Sequence, residues 1–177
     1  MLKKHIVKIK TGFIAILLTS NIAFAENIEV KFAYLGQKGH TALLGAQQGL
    51  SEANLQGQFL NQKYDLDLIS IEDANAHDFS DYIAVLTAVD TDTYIKLTES
   101  LPDIAVFNLS LKDDELRSTC INNALHIIPS NTMEADAKNQ WQKKKPDSTA
   151  KAQAWHPDFV KFAARDLNKR FKKNQNK

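Results

Sequence analysis

The chain has a single cysteine, Cys120, so it closes no disulfide within itself, and the absence of CxxC and CxxCH excludes zinc-ribbon and c-type haem readings. With no partner thiol, Cys120 is expected to serve as a half-buried small apolar residue. Charge of one sign is also missing, since the formal net charge is only +1. That balance is no general nucleic-acid signature. There is no apolar run of the roughly 20 residues needed to span a bilayer. No serine sits in a G-x-S-x-G elbow, no motif pairs a nucleophile with a base, and Gly36 with Gly39 is not a GxGxxG fingerprint. These absences point away from an enzyme and from a bound cofactor or metal.

What is present begins with an address. Lys3, Lys4, Lys8 and Lys10 stand in the first ten residues without an acid, followed by the short apolar run Phe13 to Leu18 and then Ala23-Phe24-Ala25. A basic start, an apolar middle and an A-x-A end predict a secretory signal peptide over residues 1–25, cleaved after Ala25, with the product in the periplasm. The residue directly after the cleavage site is Glu26 rather than a cysteine, which argues against a lipoprotein anchor. The 152 residues that remain suit one domain. Its charge is uneven: residues 161–177 hold seven lysines and arginines against Asp166 alone.

Hydrophobic periodicity gives the architecture. Glu29 to Leu35 alternates with Val30, Phe32 and Tyr34 on one face, and Tyr64 to Ile71 alternates again. Tyr82 to Thr87 is nearly continuous and reads as a strand buried on both faces. Ile104 to Phe107 and Ala124 to Ile128 complete five strands. Helices are expected from a Thr41 cap through Ala53 to Gly57, over Thr91 to Ser100 ahead of Pro102, briefly over Asp113 to Arg117, and over Thr132 to Trp141. Short apolar strands alternating with amphipathic helices predict an α/β fold, with a mostly parallel sheet flanked by helices over residues 26–142. The stretch Glu72 to Asp81 is short for a crossover helix, so either it is trimmed or the strands it joins are not simple neighbours. Residues 143–153, with Lys143-Lys144-Lys145-Pro146, read as a linker. Residues 154–177 read as a basic amphipathic C-terminal helix, with His156 as cap, Pro157 in the first turn, Trp155 and Val160 as a staple, and Phe159, Phe162, Ala163, Leu167 and Phe171 as its apolar stripe.

In open α/β sheets ligands sit beyond the carboxyl ends of the strands. This rule nominates three loops, with Gly39, His40 and Thr41 in the first, Asp90 and Thr91 in the second, and Asn108 and Ser110 in the third. The competing reading of all seven is ordinary turn and cap chemistry. Glu72, Asp73, His77, Asp78 and Asp81 form an acidic cluster without EF-hand spacing, read as solvated acids rather than a cation site.

Two groups of residues resemble a known family. Val30 to Leu35 with Gly45-Ala46-Gln47-Gln48-Gly49-Leu50-Ser51-Glu52-Ala53-Asn54 resembles the opening of type 1 periplasmic solute-binding proteins of the branched-chain amino-acid class. Asp113 to Arg117, Cys120, Leu125 to Ser130, Met133 to Ala137, and the tail Ala154 to Pro157 with Asp166 to Phe171 are similar to the ABC-type substrate-binding proteins associated with PQQ-dependent alcohol oxidation. The resemblance implies a single lobe of a type 1 periplasmic-binding fold, a small-molecule ligand, an ABC permease or periplasmic dehydrogenase as partner, and Thr91, Asn108 and Ser110 as the nearest equivalents of ligand-contacting hydroxyl and amide side chains. Members of that family are about twice as long and close two lobes on the ligand. This sequence passes from the helix near Trp141 almost directly to the terminal helix, so a second lobe is expected to be missing. Half a site would bind weakly unless a homodimer or partner supplied the other wall. The alternative expectation is a non-enzymatic interaction module docking a partner such as a dehydrogenase.

Overall fold

A computed structural model describes residues 27–156, 158–161 and 163–175. The expected signal peptide lies outside the described residues, as do Pro157 and Phe162. Among the described residues no helix is long and apolar enough to cross a membrane.

Five strands form one sheet, all parallel: β1 (Ile28–Gly36), β2 (Gln62–Ile69), β3 (Ala84–Ala88), β4 (Ala105–Asn108) and β5 (Ala124–His126), in the order β2-β1-β3-β4-β5. This 2-1-3-4-5 order is that of a doubly wound α/β sheet, whose winding reverses between β1 and β3. It also answers the question about Glu72 to Asp81. β2 and β3 are separated by β1, and the fourteen residues that join them form turns rather than a helix. Phe79 from that connection is buried and takes the packing role a crossover helix would fill.

The period of two divides the core between the sheet's faces. Ala33, Leu35, Val85 and Val106 face one side, where they meet Phe79, Tyr94, Leu97 and Leu116. Tyr94 and Leu97 belong to α2 (Thr91–Ser100), and Leu116 to α3 (Asp114–Ser118). Tyr34 and Ala88 face the other side and meet Leu43 of α1 (Thr41–Gly57). The central strands β1, β3 and β4 are the most deeply buried, because each has a strand on both sides.

Four details differ from the sequence reading. Cys120 is exposed rather than half-buried. The first helix is capped by His40, whose Nδ1 accepts from the Ala42 amide at 3.1 Å, and Thr41 is its first helical residue. The fourth helix, α4 (Asn131–Lys144), runs through Lys143 and Lys144, whose composition is that of a linker. Lysine is a good helix former, and its cation is favoured at a helix C-terminus. The last helix, α5 (Ala164–Gln175), starts ten residues beyond Ala154. The reason lies in the segment before it. His156 closes a turn, accepting from Asp158 N on Nδ1 and from Phe159 N on its carbonyl, and Trp155 folds back to donate its indole N–H to Asn168 at 2.9 Å. The face that α5 packs is Ala164, Leu167 and Phe171, with Ala163 left exposed.

α5 lies against α1. Arg170 makes two hydrogen bonds to the Glu52 carboxylate, at 2.7 and 2.9 Å, and Asn174 donates to Gln48. The Arg170 guanidinium, with Gln48 beside it, holds the Glu52 carboxyl below its ordinary range.

Candidate functional site

Parallel strands all deliver their following loops to one edge, so the carboxyl edge of the sheet gathers the polar turns. A cavity of about 420 Å³ opens there between the loops after β1 and β2. Gly36, Gln37 and Lys38 line it from the first loop, Ser70 to Asp73 from the second, and Leu43 from α1. Tyr34 forms part of its wall.

Tyr34 is 1 % exposed, yet its hydroxyl has no hydrogen-bond partner, and it is the one such buried side-chain atom among the described residues. Burial pushes its pKa above the usual tyrosine value, so the group stays a neutral O–H. A buried hydroxyl without a partner costs about 1–3 kcal/mol, and buried tyrosines ordinarily find one. Tyr94 shows the contrast. It is equally buried, but its hydroxyl donates to the Val106 carbonyl at 3.0 Å. The chain makes room for the Tyr34 hydroxyl with a glycine. A Cβ on Gly36 would stand 2.9 Å from that oxygen and 2.9 Å from the Ala88 carbonyl oxygen.

None of the seven nominated residues lines this cavity, and most have their polar atoms occupied by the chain. Gly39 is exposed with open space around it, and Thr41 is exposed. His40 caps α1. Asp90 caps α2, accepting from the Thr93 amide at 3.0 Å and the Thr93 hydroxyl at 2.7 Å. The Thr91 hydroxyl donates to Asp113 at 3.1 Å. Asn108 is fully buried and spends its whole amide: Oδ1 accepts from Ser110 N and Leu111 N, while Nδ2 donates to the Leu111 carbonyl and faces His126 Nδ1 at 3.0 Å. Ser110 is half-buried, and its amide belongs to the same turn. The structure therefore brings Asn108, Ser110 and His126 together as a latch between β4 and β5. The first loop does contribute to the cavity, but through Gly36 to Lys38.

Sequence reasoning missed Tyr34, Ser70 and Ile71 as cavity residues. One usable signal was present. A tyrosine at the end of a central strand must bury its ring and find a partner for its O–H. Of the acidic cluster, Glu72 and Asp73 reach the cavity. Asp73 exchanges hydrogen bonds with Ser70, and Asp78 accepts from Ser80 N. Among the described residues no group of three or more His, Cys, Asp or Glu is arranged to hold a metal ion.

His126 links the latch to pH. Burial first, and the Arg117 cation second, push its pKa below the usual histidine value. Its Nδ1 must be unprotonated to accept from Asn108. The folded protein resists a proton that the unfolded chain takes, so this part of the stability is present above the unfolded histidine pKa of about 6.5 and is lost as pH falls below it. The expected result is a fall in the denaturant midpoint between pH 7.5 and 5.5, with a smaller fall for His126→Phe. An equal fall in both proteins would show that other groups carry the effect.

Comparison with known proteins returns no match, whether to a family model, a curated protein or a solved structure.

Proposed function

We propose that this chain is a non-enzymatic, exported, solute-binding-like protein that captures a small molecule at the carboxyl edge of its sheet, in an ABC transport or accessory role linked to PQQ-dependent alcohol oxidation. The observation that carries the binding is the buried, unpartnered hydroxyl of Tyr34, a residue that forms part of the wall of a cavity. A ligand oxygen that accepts from it would relieve the cost of its burial. The size of that cavity falls within the ~300–1,000 Å³ of small-molecule sites. Export and the alcohol-oxidation setting are supported by the basic, apolar and A-x-A leader and by the resembled segments from Asp113 to Ala137.

Calorimetric titration with alcohols, carboxylic acids and amino acids tests the reading, using the wild type and Tyr34→Phe. One compound is expected to release or absorb heat saturably, and Tyr34→Phe to bind it about tenfold more weakly. Without ligand the same substitution is expected to raise the unfolding free energy by about 1 kcal/mol, because it removes an unsatisfied buried hydroxyl. A destabilised Tyr34→Phe would show that the hydroxyl already has a partner.

One observation favours a second reading, a module that docks a protein such as a periplasmic dehydrogenase. On the α1 side of the sheet Leu125, which pairs with Phe107, is 43 % exposed, and Ile127 just beyond β5 is 60 % exposed. Silence across the ligand panel, together with capture of a purified dehydrogenase that Leu125→Asp abolishes, would favour it.

A further inference from the structure

A second cavity of about 500 Å³ lies away from the carboxyl-edge loops, between α1 and α5. Its walls are almost wholly apolar: Leu167 and Phe171 from α5, the Trp155 ring, and the backbone of α1 at Gly45 and Gly49. The polar groups at its margin are unequal. Glu52 is neutralised by Arg170 and hydrogen-bonded to Gln48, and Gln48 is in turn held by Asn174. Lys172 lines the cavity with no anionic partner among the described residues. The neighbouring Lys169 and Lys173 add to the positive field at that end of α5. The cavity thus offers an apolar interior, one unneutralised cation at the rim, and an anion already satisfied by its own arginine.

We propose that the α1–α5 cavity binds a free amphipathic monoanion, a molecule with an apolar body and a single carboxylate head of the medium-chain fatty-acid kind. The body lies along Phe171, Leu167 and Trp155, and the head meets Lys172. Apolar contact supplies most of the affinity, and the cation fixes the orientation. Nothing in the chain crowds the floor. A Cβ at Gly45 would meet no atom within 4 Å, so a larger side chain there enters the cavity rather than the protein.

The probe is decanoate at submicellar concentration, added to the full chain carrying Trp141→Phe. With two tryptophans in the sequence, emission then reports Trp155 alone. Saturable one-to-one quenching or blue shift is expected. Decanol and decyltrimethylammonium are expected to bind at least fivefold more weakly. Lys172→Gln should weaken decanoate about fivefold, and Gly45→Leu at least tenfold, with unchanged far-UV circular dichroism. Gly45→Ala, which fills less of the space, should fall between Gly45→Leu and the parent. Decanoate affinity unchanged in Gly45→Leu, or decyltrimethylammonium binding as tightly as decanoate, would overturn the proposal. So would co-sedimentation with anionic vesicles without any response to monomeric decanoate, since that outcome assigns the patch to a lipid surface.

Discussion

Asn108→Ala is expected to lower the unfolding free energy by about 3 kcal/mol or more. The expectation follows from a count of what the side chain holds. Asn108 is fully buried at the end of β4, and all four hydrogen-bonding positions of its amide are used. Removing it leaves the Ser110 and Leu111 amides and His126 Nδ1 in search of new partners, while the Leu111 carbonyl keeps only its long bond from Arg117 at 3.4 Å. Each group left buried and unsatisfied costs about 1–3 kcal/mol, and water entering the space vacated by the amide recovers part of that. The latch also has a mechanical role. The Asn108 carbonyl accepts from Ile127 N at 3.1 Å, and Arg117 ties the Leu111 and Ile128 carbonyls to the α3 end of the same loop. β5 has three residues and one neighbouring strand, so little else holds it. Urea unfolding followed by far-UV circular dichroism measures the loss. A change below 1 kcal/mol would mean that the loop after β4 satisfies its own backbone without the amide.

The same residue shows how far the sequence could be read. Asn108 was legible as a loop residue at the carboxyl edge, because strand order and the general rule for α/β sheets place it there. Its occupation was not legible, because the partners on Leu111 and His126 are set by the tightness of a turn and by the pairing of a neighbouring strand. Strands and their faces were readable wherever alternation or a buried run was clean, as in β1 and β3. The limits of α2 were readable because Asp90 and Pro102 mark its ends chemically. α5 was misplaced because Trp155, His156 and Pro157 carry the composition of a helix start. There the tertiary bond from Trp155 to Asn168 prevailed over local propensity. Tyr34 was visible as a strand residue on one face with Val30 and Phe32, but a missing hydrogen bond is a property of the assembled neighbourhood. No pattern in one segment announces it.

Gly57→Ala is the other large effect expected, and α1 supplies its own control. Glycine inside a helix ordinarily costs up to about 1 kcal/mol relative to alanine. At Gly45 that rule should hold. The position is mid-helix with open space around it, so Gly45→Ala is expected to stabilise the protein by up to about 1 kcal/mol. At Gly57 the sign reverses. A Cβ there would lie well inside van der Waals contact with the Gln62 carbonyl oxygen, and 3.2 Å from both the Gln62 carbonyl carbon and the Tyr64 ring. Neither backbone can easily give way. Asn54 clamps the Tyr64 amide and carbonyl at 2.9 and 2.8 Å, Leu60 N is bonded to the Gly57 carbonyl, and the Asn61 carbonyl accepts from Ile28 N at 2.8 Å. Asn61 already holds a positive φ of 52°, which asparagine tolerates better than most side chains. The corner therefore fixes the entry of β2 beside β1 with little freedom left to absorb a methyl group. Overpacking of this kind costs about 1–3 kcal/mol, and the upper end is expected where the atom met most closely, here the Gln62 carbonyl oxygen, is backbone. Paired denaturant titrations of Gly45→Ala and Gly57→Ala should move the midpoint in opposite directions. A shift of the same sign in both would show that helix propensity, not the close approach of α1 to β2, governs glycine in this helix.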